Sequence, residues 1–252
     1  MIKLLHGDCL ELMQTIEDGS IDAIITDPPY GTTACKWDSV IPFEPMWEQL
    51  KRITKDNGAI CLFGSEPFSS HLRISNLKWF KYDWYWHKTK SPNFLHARKM
   101  PHFKIETCSV FYKRLPLYNY ELRESTTGYK VGKSCLKERE ATATHMNVSG
   151  QKNAKLNYSK DYKEGFILPD NLLKFSNYKT SKNNFHPTQK PTVLLEYLIK
   201  TYTLENETVL DFTMGSGTTG VAAKQTNRKF IGIEKEEKYF NIAQQRINSI
   251  LL

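Results

Sequence analysis

An α/β fold with a mainly parallel sheet is predicted by three observations. Apolar runs of strand length alternate with segments of helical spacing at both ends of the chain, the pattern of strands joined by helical crossovers. One run, "AIIT", stops at the acid-proline-proline-aromatic tetrapeptide Asp27–Tyr30. Another, "ETVLDFT", leads into a glycine turn, "MGSGTTG", that opens a helical stretch.

Each element follows from local pattern. "MIKLLHGD" reads as a short strand ending at Gly7 and Asp8, with helical residues continuing through Met13. "SIDAIITDPPY" is a strand halted by Pro28, which has no N–H to give a ladder. "FEPMWEQLKRIT" has helical spacing, "NGAICLFGS" is a buried strand, and "EPFSSHLRIS" is a helix with Pro67 in its first turn. "KWFKYDWYWHK" and "ETCSVFYKR" are aromatic-rich strands, with Trp79, Phe80, Trp84, Tyr85 and Trp86 assigned to the core. In "HPTQKPTVLLEYLIKTYT" Pro191 takes the first helical position, and Val193, Leu194, Tyr197, Leu198 and Tyr202 form the apolar face. The strand "ETVLDFT", the helix "TTGVAAKQT", the strand "KFIGIE" and the helix "EKYFNIAQQRINSIL" complete the pattern, without internal repeats.

Between about Leu115 and Phe185 this pattern gives way to Lys, Asn, Ser, Thr and Tyr. The expected organisation is a main domain of 1–114 and 186–252, interrupted by a small irregular subdomain, 115–185. The net charge of +8 is unevenly placed. Residues 87–190 carry 20 Lys/Arg against 8 Asp/Glu, whereas the rest has 15 basic and 19 acidic residues. A basic middle of this kind suits a polyanion, nucleic acid foremost. With 40% hydrophobic and 25% charged residues the composition is that of an ordinary globular protein. No apolar run approaches the ~20 residues of a membrane span, and no signal peptide opens the chain. Five scattered cysteines without a CxxC pair argue against a disulfide framework or a metal site and fit a reducing cytoplasm.

The glycine turn carries chemistry. Gly215, Gly217 and Gly220 satisfy GxGxxG between strand and helix, and the following strand ends in Glu234, an acid placed to accept from ribose hydroxyls. A P-loop is excluded because no lysine follows the glycines at the required position. Eighteen residues follow Glu234, room for one helix. The other strands must come from the N-terminal half, so the segments are circularly permuted. The tip of "AIIT" and the glycine turn then share one sheet, at the carboxyl ends where ligands bind.

The tetrapeptide makes a rigid acceptor. Proline holds Asp27 extended, and Pro28 and Pro29 stiffen the loop. The Asp27 carboxylate and the Pro28 carbonyl then stand beside the ring of Tyr30. Such a pair matches an amino group on an aromatic ring, as in adenine or cytosine. The amino nitrogen is a poor nucleophile because its lone pair delocalises into the ring. Two acceptors favouring a tetrahedral nitrogen localise that pair and stabilise the charge that develops during attack.

With "DPPY" upstream and an "FxGSG"-like loop downstream, the chain resembles the amino-methylating (N6-adenine/N4-cytosine) DNA methyltransferases, and its segment order is similar to the β group. The resemblance covers nearly all of the chain outside 115–185. It implies a Rossmann-like methyltransferase sheet, S-adenosylmethionine as cofactor, double-stranded DNA as partner, and a target base flipped out of the duplex. It further implies that Asp27, Pro28, Pro29 and Tyr30 are catalytic and hold the base. By the same resemblance Asp211, Phe212, Gly215, Ser216, Gly217, Thr218 and Thr219 surround the methionine part of the cofactor. Glu234 matches the ribose acid, and Asp8 an acid near the cofactor's adenine. Thr188 and Lys190, in "HPTQKP", match the segment that closes over the methionine end. Phe212 and Thr213 depart from the usual DPFxGSG, in which a proline and an aromatic residue stand. The segment 115–185 becomes a target-recognition region offering Arg123, Arg139, Asn147, Gln151, Asn153 and Asn157 among its lysines. A cytoplasmic, nucleoid-associated bacterial or phage enzyme is implied, with a cognate restriction endonuclease as genetic partner and a homodimer as open possibilities.

Three other activities bear comparison. C5-cytosine methylation requires a nucleophilic cysteine, commonly after proline, and none of the five follows a proline. N4-cytosine methylation uses the same acceptor pair, although Asp at the first position leans toward adenine in the family. A NAD-dependent oxidoreductase is consistent with GxGxxG and Glu234, but not with DPPY or the basic insertion.

Overall fold

The computed structural model describes residues 1–32, 38–91, 93, 95, 97–124, 139–140, 155–156, 166–177 and 189–250. These form two compact units, Met1–Asn119 with Asn171–Leu252, and Tyr120–Asp170.

In chain order the strands are β1 (Ile2–His6), β2 (Ile21–Thr26), β3 (Thr54–Gly64), β4 (Phe80–His87), β5 (Ile105–Phe111), β6 (Arg123–Glu124), β7 (Arg139–Glu140), β8 (Lys155–Leu156), β9 (Phe166–Ile167), β10 (Leu172–Leu173), β11 (Thr208–Asp211) and β12 (Lys229–Glu234). The helices are α1 (Cys9–Met13), α2 (Phe43–Ile53), α3 (Phe68–Ser75), α4 (Thr192–Tyr202), α5 (Thr218–Gln225) and α6 (Glu237–Asn248). The larger unit holds an eight-stranded sheet in the order β1-β12-β11-β2-β3-β5-β4-β10. In the smaller unit β6 pairs antiparallel with β9, β7 pairs antiparallel with β8, and Arg123 is bonded to Asp170 at 2.5 Å.

All neighbouring pairs of the large sheet are parallel except β5, which runs antiparallel to both β3 and β4. The helix-strand alternation predicted the parallel pairs among β1, β2, β3, β11 and β12, whereas β10, which pairs parallel with β4, lies in the segment read as irregular. The antiparallel strand arises because no helix separates the two aromatic-rich segments β4 and β5 among the described residues, so the chain turns back on itself.

Helices cover both faces, which explains why β2 is buried along its whole length. Ala23 and Ile25 face Leu194, Leu198, Ala222 and Ile247 from α4–α6, while Ile24 and Leu210 face Met13, Leu50 and Leu72 from α1–α3. On α4 the buried positions are Leu194, Leu195, Leu198, Ile199, Thr201 and Tyr202. Val193, expected on that face, is 53% exposed: the buried stripe runs through Leu194, Leu195, Leu198, Ile199 and Tyr202, and Val193 lies at its edge. Trp84 and Trp86 are core residues as expected, whereas Tyr85 alternates to the other face of β4 and is exposed. Trp84 donates to the Tyr202 hydroxyl at 2.7 Å, and that hydroxyl also bonds Tyr82 at 2.8 Å.

The order of the strands positions the site. From β11 the chain crosses through α5 to β12 on one side, and from β2 through α2 to β3 on the other. The crevice between the carboxyl ends of β2 and β11 is thus a topological switch point, where open α/β sheets bind ligands. Among the described residues no helix is long and apolar enough to cross a membrane.

Candidate active site

At this switch point lies a cavity of about 790 Å³. Its lining includes Asp27, Pro28, Pro29 and Tyr30 after β2, the turn after β11, and Glu234 at the end of β12. Two stretches about 185 residues apart in sequence therefore meet in one chamber.

The tetrapeptide loop is fixed from beneath. Backbone N–H groups of Tyr30, Gly31 and Thr32 donate to the Asp38 carboxylate at 2.8, 2.9 and 2.9 Å. The Tyr30 ring stacks on Phe68 at 5.0 Å between centroids, and its hydroxyl donates to Asp27 Oδ1. Neither Asp38 nor Phe68 was legible as a site residue, since an isolated Asp and a helix Phe carry no pattern of their own.

Asp27 belongs to a charged ladder. Lys190, just before α4, bonds Asp27 Oδ2 and reaches Glu106 Oε1 at 2.8 Å. The second oxygen of Glu106 bonds Lys88 at 2.7 Å. Lys190 and Glu106 are almost fully buried. Burial raises the Asp27 carboxyl above its ordinary range, with Lys190 opposing. Glu106 is also desolvated, yet Lys190 and Lys88 together hold it below the usual carboxylate range. Burial alone would weaken the Lys190 ammonium, but the two carboxylates reverse this and raise its pKa. Sequence reasoning named Lys190 for the cofactor side and missed Glu106 and Lys88. The only signal for them was a charge on β5, for Glu106, and one just after β4, for Lys88, beside residues otherwise aromatic and apolar.

The glycine turn sits across the crevice. Gly215 and Gly217 have φ of 52° and 77°, left-handed values that favour glycine. A Cβ on Gly215 would meet nothing within 4 Å, so the turn presents bare backbone to open space. Glu234 Oε2 accepts from Gly215 N at 2.8 Å, and Oε1 accepts from Glu236 N at 2.8 Å. Burial raises the Glu234 carboxyl. Ser216 and Thr218 are held by Arg246 of α6, a contact without a sequence signal. Asp8 caps α1 by accepting from Leu10 N at 2.9 Å and bonds Lys235 at 3.2 Å. Burial pushes Asp8 upward, but these partners outweigh it and leave its carboxyl low.

Asp211 links the two motifs. Its Oδ1 accepts from the Thr26 hydroxyl at 2.5 Å and from Thr213 N at 3.1 Å, and its Oδ2 from Thr219 at 2.6 Å. Burial lifts its carboxyl to about 6. Thr213 donates to the Asp27 carbonyl at 3.2 Å and bonds Thr26 at 2.7 Å. The departure at position 213 thus replaces an aromatic wall by a polar link between the turn and the tetrapeptide. Phe212 borders the cavity, but its ring is buried among Leu210 and Ile233. Thr188 lies outside the described residues.

A family model described as DNA methylase matches residues 21–245. The chain belongs to this DNA methylase family. It is 30% identical over 277 residues to the type II methyltransferase M.HinfI of Haemophilus influenzae, across 98% of this chain and 68% of that protein. It is 30% identical over 267 residues to the type II methyltransferase M2.LlaDCHI of Lactococcus lactis subsp. cremoris, across 97% of this chain and 88% of the other. The crystal structure of the M1.HpyAVI–SAM complex superposes with a TM-score of 0.64 at 26% identity, covering 98% and 100% of the two chains. The methylase is thus an S-adenosylmethionine-dependent DNA methyltransferase, and the oxidoreductase reading of its glycine turn is set aside. The residues fit the cofactor: bare glycine backbone, a buried acid at the next strand end and an acceptor carboxylate share one cavity.

Proposed function

We propose that the methylase is site-specific and acts on the N6 amino group of adenine in double-stranded DNA, with the base swung out of the duplex into the cavity. The reading is carried by the placement of Asp27–Tyr30 at the tip of β2, facing the glycine turn across the switch point. Bound S-adenosylmethionine supplies an electrophilic methyl group on a sulfonium. Gly215–Thr219 holds its methionine part, Glu234 the ribose hydroxyls, and Asp8 borders its adenine. The Asp27 carboxylate and Pro28 carbonyl accept the two amino hydrogens of the target and orient its lone pair toward the methyl carbon. The base lies against Tyr30, whose tilt is set by Phe68. Methyl transfer from the bound cofactor would place positive charge on the amino nitrogen, where the Asp27 carboxylate would stabilise it. The excess proton would become acidic only then and would pass from the nitrogen to water.

In this reading 115–185 recognises the DNA, with its lysines on phosphates and Arg, Asn and Gln side chains on base edges. Of the six named candidates, Arg123 is paired with Asp170, and Asn147, Gln151, Asn153 and Asn157 lie outside the described residues, as does the side chain of Arg139. A cognate restriction endonuclease as genetic partner and a homodimer are compatible with the reading.

The test is transfer of tritiated methyl groups to a duplex library, followed by nucleoside chromatography. Label in N6-methyladenine is expected, and Asp27→Ala should lower turnover by about 10²–10³-fold. Label in N4-methylcytosine would overturn the adenine assignment. An Asp27→Ala enzyme as fast as the parent would overturn the role of the tetrapeptide.

A further inference from the structure

The ladder Asp27–Lys190–Glu106–Lys88 contains more charge than base binding requires. An ammonium on Asp27 donates in the same manner as the target amino group and competes for the same oxygen. A cation left there also opposes the positive charge that develops on the target nitrogen. The Lys190 side chain is largely enclosed, at 7% exposed. The structure supplies another place for it, because Glu106 Oε1 already lies 2.8 Å from Lys190 Nζ. Glu106 itself is 8% exposed and held in place by Lys88 at 2.7 Å on its other oxygen.

We infer that Glu106 is a positioning residue for methyl transfer: when the target amino group docks on Asp27, Glu106 retains the Lys190 ammonium and draws it off that carboxylate. The inference rests on Asp27 being the acceptor of the target amino group. Lys190 then serves as a placeholder that keeps Asp27 paired and ionised until a base arrives. Glu106 lets the placeholder step aside without solvation or unpairing, and Lys88 anchors the receiving carboxylate. The cation moves between two acceptors that it already spans.

The charged and titratable groups around this point come from several elements. They are Asp27 and Tyr30 after β2, Lys88 after β4, Glu106 and Cys108 on β5, Lys190 before α4, and Asp211 at the end of β11. Removing Lys190 therefore leaves Asp27 buried beside other acids, and its protonation should then limit activity at low pH.

The experiment compares wild type, Glu106→Gln, Lys190→Met and the double variant, measuring kcat and KM for a cognate duplex from pH 6 to 9. Cofactor affinity and gel-shift affinity serve as controls for folding and DNA binding. Glu106→Gln is expected to lower kcat by about a hundredfold with both affinities retained, because Lys190 now stays on Asp27. At pH 9 the double variant should be at least about tenfold faster than Glu106→Gln, since the trapped cation is gone. Should Glu106→Gln fail to fold, Glu106→Asp retains the charge but withdraws it by one methylene, and an intermediate loss is expected. Wild-type kcat in Glu106→Gln or Glu106→Asp, or a double variant no faster than Glu106→Gln at pH 9, would overturn the inference while leaving the Asp27 reading intact. A wild-type protein that methylates no DNA, or an active Asp27→Ala, would instead remove the reading on which it rests.

Discussion

Asp38→Ala tests whether the tetrapeptide is rigid because of its prolines alone. Asp38 accepts three consecutive N–H groups from Tyr30, Gly31 and Thr32 at 2.8–2.9 Å, and it is itself buried. A hydrogen bond to a charged group contributes about 1.5–3 kcal/mol, and three that share one carboxylate sum to less than three independent ones. A combined value of about 3–4 kcal/mol follows for holding the loop in its observed geometry. Because the loop borders the cavity, released N–H groups find water when it opens, so the loss falls on loop order more than on global unfolding. At 1.36 kcal/mol per tenfold, about 3 kcal/mol becomes a drop of roughly 10²-fold in kcat/KM. Asp38→Asn, with one acceptor oxygen left, should fall between. The assay is the initial rate of tritiated methyl transfer, with cofactor affinity measured by calorimetry. Cofactor affinity should persist, because the glycine turn is tied to Asp211, Glu234 and Arg246 rather than to Asp38. An Asp38→Ala enzyme within about threefold of wild type would refute the reasoning, since prolines alone would then suffice.

Other substitutions test neighbouring parts. Asp211 has its pKa raised to about 6 against ~3.9 unfolded, so the native state binds the extra proton. Its contribution to stability is present below about pH 4 and lost as pH rises toward 6, a change of about 3 kcal/mol. Asp211→Asn should flatten the stability profile across that window in denaturant titrations, and an unchanged slope would remove the assignment. Gly217→Ala places a Cβ 2.7 Å from the Ala243 Cβ at a φ of 77°, and a loss of about 2–4 kcal/mol is expected in thermal unfolding with weakened cofactor binding. Tyr202→Phe leaves the buried Trp84 indole N–H without its acceptor and should cost about 1–3 kcal/mol in chemical denaturation.

Much of the fold was legible because β2, β11 and β12 are short apolar runs with unambiguous ends, and because the glycines after β11 demand a strand-turn-helix context. The antiparallel β5 was not, since direction is set by what connects two strands and not by their composition. Among the residues lining the cavity, Asp27 and the glycine turn could be anticipated because rigidity and positive φ are written into residue type. Glu106 and Lys88 were hidden for a different reason. A charged residue on a strand reads as solvated, and only the meeting of β4, β5 and the start of α4 turns those charges into buried partners. Val193 was misplaced for a simpler reason: it is apolar and adjoins the stripe of Leu194, Leu195, Leu198 and Ile199, and pattern alone does not separate the edge of a stripe from its centre.

The tie between β2 and β11 explains how two motifs so far apart in sequence work as one site. Val209 and Leu210 pair with Ala23 and Ile24, and beyond the last ladder pair the Thr26 hydroxyl reaches across to donate to Asp211. Asp211 then bonds Thr213 and Thr219, one on each side of the glycines, while Thr213 returns to the Asp27 carbonyl. A shift of the turn is therefore felt at the backbone of the acceptor carboxylate through a closed loop of hydrogen bonds, with no side chain in between that is free to relax. An aromatic side chain at 213 packs but does not donate. Thr213→Phe should therefore supply an aromatic wall in place of the polar link and loosen Asp27, lowering kcat more than it raises KM for the cofactor. Equal losses in the two constants would mean that the threonine serves only the cofactor, and that the link to Asp27 carries no catalytic weight.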